Sequence, residues 1–114
     1  MRAVDLAVFA DALAGRAGAL AARLERGRDQ IRQAAIEREA RRSLGAETVA
    51  RLVELGVLSR ADVRGLHAEA RRLAADLAAV EELQAWVEAR LFAEREREVA
   101  YDGARATRSP PSSS

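Results

Sequence analysis

His67 is the only histidine, and its imidazole is the one side chain here whose unperturbed titration range lies near neutral pH. It could bind a metal or carry a proton, but its helical neighbours argue against both roles. Arg64 and Arg71 flank it at helical spacing, and no glutamate stands three residues before it, as helical di-metal sites require. No serine or threonine has a histidine partner at a usable spacing, and Ser59 reads as a helix cap. The carboxylate pairs Glu81–Glu82 and Glu94–Glu96 could share a proton, but they sit in charge-rich helix that reads as exposed. Without burial, the main cause of a raised carboxyl pKa is missing. The glycines are scattered with no phosphate-cradling pattern. With no cysteine, disulfides, thiolate metal sites and cysteine nucleophiles are excluded. The sequence therefore predicts no catalytic residue, no metal, no cofactor and no enzyme.

Binding residues are a different matter. The stretch ELGVLSRADVRGLHAEA, 54–70, has the rhythm of helix, corner, helix, with Arg60 and Arg64 one turn apart just past the corner. That is the layout of a DNA-reading helix-turn-helix, in which the two arginines would meet nucleic acid. Its corner is longer than the compact motif, however, and its charges are balanced rather than basic. A domain that neutralises several phosphates shows a basic excess. Trp86 offers a second candidate, on a flank with Ala75, Ala79 and Leu83. A tryptophan on a strip of small residues can anchor a partner helix, or it can fold over the edge of its own helix pair. Val4 and Val8 lie off their own helix's apolar seam and suit the same second interface.

The elements that must position these residues are helices. From about Ala3 to Arg42 there is no proline, and most residues are strong helix formers. Leu6, Ala10, Leu13, Ala17, Leu20, Leu24, Gly27, Ile31 and Ala34 alternate steps of four and three. This is the heptad stripe that keeps one face toward a partner helix. Gly15, Gly18 and Gly27 each weaken the helix, and Gly27 on the seam suits either a close helix approach or a kink. A second long helix is predicted from about Arg60 to Val99, with a seam of Val63, Leu66, Ala70, Leu73, Leu77, Val80, Gln84, Val87 and Leu91. Beyond Leu91 the stripe meets Glu94 and Glu98, where apolar packing is expected to stop. The two seams have equal length, roughly 42 Å at 1.5 Å per residue. Folded antiparallel, they set Leu20 and Leu24 against Leu77 and Leu73, and Ala10 and Ala17 against Val87 and Val80. Counting alone leaves a slip of one heptad open.

Between them, Gly45 ends the first helix and 47–55 makes a short one. Gly56 suits the left-handed residue after a helix, with Val57 against Leu52. Ser59 with Asp62 three residues on, and Leu58 with Val63, read as the cap and apolar staple of the next helix. Residues 1–104 form the helical hairpin, and the Pro/Ser-rich 105–114 is read as a disordered tail.

Composition fits this picture. Apolar residues make up 49% of 114, but many are alanine, and the only aromatics are Phe9, Trp86, Phe92 and Tyr101. A thick core is not available, so a partner chain is expected to complete it. All 19 basic residues are arginine, and the net charge is +1. Arginines outnumber acids seven to four over 23–42, whereas acids lead six to three over 81–98. An antiparallel hairpin would carry this asymmetry at its two ends. No segment approaches the roughly 18–20 apolar residues that span a bilayer, and Asp5 and Asp11 interrupt the N-terminal apolar run that a signal peptide would need. The expectation is an all-α, cytoplasmic, coiled-coil-like hairpin with no membrane partner. It would be completed as a helical bundle by self-association, as a homodimer, or by another helical protein. Its function is then protein–protein interaction or scaffolding, with a small nucleic-acid-binding regulator as the alternative.

Overall fold

A computed structural model describes residues 1–59 and 62–107. Among them are three α-helices and no strand: α1, Ala3–Ser43; α2, Ala46–Glu54; and α3, Val63–Thr107. The chain is all-α, and α1 and α3 pack against each other. Two units divide it, and the division cuts both long helices. The first comprises Met1–Ala17 with Ala79–Ser114, the second Gly18–Ala78.

In the first unit, Leu6 and Leu13 of α1 and Val87 of α3 form the core, with Ala10, Val80 and Leu91 packed on it. All six are seam positions. The stripe runs one layer further than expected, because Ala3 and Glu94 are both buried. A glutamate can occupy this place because Arg90 Nε lies 3.3 Å and Arg97 Nη1 3.2 Å from its Oε1, so the buried charge is paired. The expected end of packing at Leu91 is thus corrected, and so is the reading of Glu94 as an exposed residue. Glu98 is exposed.

In the second unit, Leu24, Ala34, Leu58 and Leu73 are buried, and Leu20, Ile31, Leu66, Ala70 and Leu77 are half-buried. Arg23 of α1 lies 3.6 Å from Glu69 of α3. Glu37, also buried, accepts the Ser59 N–H at 3.3 Å and the Ser59 hydroxyl at 2.9 Å. Arg41 donates to the Ser59 carbonyl. A slip of one heptad moves facing residues about 10 Å along the axis, too far for these ties to survive. They therefore fix the register in which the Leu24 layer meets the Leu73 layer.

The corner closes by local backbone chemistry. Gly56 has φ +75°, its N–H donates to the Val53 carbonyl at 3.0 Å, and the Val57 N–H donates to Leu52 at 3.0 Å. These are the two bonds of a Schellman stop, and the left-handed residue at its centre favours glycine. Leu58 turns inward while Val57 stays largely exposed. α3 begins at Val63, three residues later than expected. Its cap is Asp62, whose Oδ1 accepts the Arg64 N–H at 3.1 Å. A Cβ at Gly65 would come within 2.9 Å of that carboxylate, so glycine there leaves the cap its room.

α1 is continuous through Gly15, Gly18 and Gly27. A Cβ at any of the three would meet nothing within 4 Å, so none of them serves a close approach.

Candidate functional site

Trp86 lies about 120° around α3 from the seam at 100° per residue. It is 53% exposed. Leu83 and Ala79, one and two turns earlier on that flank, are exposed as well. Ala75 is also exposed, but it belongs to the second unit. The structure thus groups Ala79, Leu83 and Trp86 on one face of the first unit, and Ala75 is described apart from them.

The opposing helix adds a residue that sequence reading missed. In an antiparallel pair, the positions just before each seam residue meet along one edge. Arg23 and Glu69 are such a pair in the second unit. The corresponding offset in the first unit pairs Phe9 with Leu83. Phe9 is 46% exposed, a second aromatic that this unit leaves partly open. Its signal in the sequence was an aromatic directly before the seam residue Ala10.

The remaining aromatics are exposed too, Phe92 at 68% and Tyr101 at 67%. Val4 and Val8 turn outward on α1, and Val99 on α3. Polar groups frame this surface. Glu94 binds Arg90 and Arg97 beside the Trp86 flank, while Glu81, Glu82 and Glu88 are exposed along α3.

In the second unit, Arg60 lies outside the described residues. Arg64 is exposed in the first turn of α3. Most neighbouring arginines on α1 are engaged. Arg32 donates to Glu25 at 3.3 Å and to Asp29, and these two bonds raise its pKa above the ordinary arginine value. Arg28 reaches Glu25 at 4.0 Å. His67 is exposed on the flank of α3 that faces Arg38 and Arg42 of α1 across a shallow depression. Among the described residues, no group of three or more His, Asp or Glu side chains is placed to hold a metal ion. No helix among them is long and apolar enough to cross a membrane.

Comparison with known proteins finds no matching family, no matching curated protein and no matching solved structure.

Proposed function

We propose that the chain is a self-associating interaction protein of the cytoplasm, in which the first unit joins a second copy through its aromatic surface. One observation carries the reading: all four aromatic side chains belong to this unit, and none enters its core. The core itself is built on just Leu6, Leu13 and Val87 with their half-buried neighbours. Large apolar side chains left in water represent unrealised burial of roughly 1.5–3 kcal/mol each. Covering three of them offsets the low end of the association cost, about 4 kcal/mol. Aromatics also supply much of the binding energy at helical interfaces. The product would be a helical bundle that completes what one hairpin leaves open.

Sedimentation velocity over a wide concentration range tests this, with the emission of the single tryptophan as a second readout. The expected result is a species larger than a monomer whose Trp86 emission shifts to the red on dilution. A monomer at every concentration, with constant red emission, would sink the reading.

A further inference from the structure

The last facing layer of the two seams in the second unit is Ala34 with Val63; four residues beyond Ala34 on α1, Arg38 is exposed. Beside Val63, at the first turn of α3, the groove between the helices opens into a depression of about 240 Å³. Ile31, Ala34, Ala35 and Val63 line its floor. Arg38 and Arg42 from α1 and His67 from α3 stand around it, with Glu39 as the one carboxylate in the lining. Glu39 is held by Arg42 at 3.9 Å. Among the described residues, no carboxylate lies within 4.0 Å of the Arg38 guanidinium, whereas Arg42, the other arginine of the lining, has one.

The geometry points to a binding site for a small organic oxyanion, a carboxylate or phosphate that carries a compact apolar group. The unpaired guanidinium presents a planar fork that matches two oxygens of such a group. Arg42 and His67 add donors from two different helices, and the alanine and valine floor receives the apolar body. Sites for drug-sized ligands begin at roughly 300 Å³, so the ligand here is smaller. The opposite flank of the same helix pair offers a contrast: a depression lined by Gln30, Gln33, Glu37 and Ser59 contains the buried Glu37 and repels an anion. This site does not depend on self-association.

Titration calorimetry and amide chemical-shift mapping of the intact chain with phenyl phosphate, benzoate and inorganic phosphate test it. Saturable binding of phenyl phosphate or benzoate is expected, with shifts centred on 31–42 and 63–67, and the stronger of the two assigns phosphate or carboxylate chemistry. Inorganic phosphate, lacking the apolar group, binds more weakly. Arg38→Ala lowers affinity roughly tenfold or more, as loss of a charge-assisted hydrogen-bond pair does. Arg71→Ala, an exposed arginine outside the depression, changes it little. The proposal is overturned if neither aromatic acid saturates. It is equally overturned if Arg38→Ala binds as the native chain does, or if Arg71→Ala weakens binding as much, which would mean diffuse charge attraction. Circular dichroism of each variant confirms that the helices are intact.

Discussion

The two units of this protein are built on the same seam but are closed by different means. In the second unit, polar ties surround the apolar layers: Glu37 and Arg41 hold Ser59, Arg23 meets Glu69, and Asp62 caps α3. In the first unit the described residues include the Arg90–Glu94–Arg97 group, and its largest side chains face outward. The contrast teaches that one heptad pattern can run through a unit laced by polar ties and a unit whose largest side chains stay exposed. The pattern specifies which stripe is buried. It does not specify whether anything covers the remaining faces.

The largest expected effect tests the shared seam. Leu73→Ala should cost about 2–5 kcal/mol in urea unfolding, as for other buried leucines, and Leu13→Ala in the first unit should fall in the same range. A loss under about 1 kcal/mol at either site would show that the seam is not the core there. The next effect separates the units. Trp86→Ala should weaken self-association by about 2 kcal/mol, or roughly 30-fold, while Leu55→Ala, exposed in the second unit, should leave the sedimentation profile unchanged. Equal effects from the two variants would erase the distinction.

The two buried glutamates should also behave differently. Glu37→Ala removes the buried carboxylate that accepts both the Ser59 N–H and its hydroxyl, and should cost roughly 1–3 kcal/mol. Glu94→Leu should cost about 1 kcal/mol or less in thermal melts, because Arg97 can turn to water and leucine fills the layer, leaving only the loss of the partner of the buried Arg90 Nε. A large loss from Glu94→Leu would make that ion pair a stabilising feature of its own. Asp62→Ala should cost about 1 kcal/mol through the lost cap, again read by thermal melts. The smallest effects are gains: Gly15→Ala and Gly27→Ala, one in each unit, should each raise stability by up to about 1 kcal/mol, since a methyl group meets open space at both. Gly56→Ala has the opposite expected sign, because its φ of +75° disfavours a side chain. If melting temperatures moved the same way for all three glycines, the backbone argument would fail.

Much of this architecture was legible before any coordinates. All nine α1 seam positions from Leu6 to Ala34 are buried or half-buried, as are eight of the nine on α3. Val63, at the mouth of the corner, is the exception at 39% exposed. The stop at Gly56 formed as its residues implied. Both signals are local: a stripe is set by helical period and a stop by the conformational freedom of one residue, so neighbours in sequence suffice to write them. The burial of Glu94 was partly readable, since arginines four before and three after it form a helical clasp.

Other features were decided only in three dimensions. Ser59 sits 22 residues from the Glu37 carboxylate that binds it, and the start of α3 moved to Val63, beside the depression at Arg38. Sequence left Trp86 between covering its own edge and facing solvent. The structure put it outside, because whether a side chain off the seam is covered depends on what the rest of the fold places beside it, and no local pattern records that.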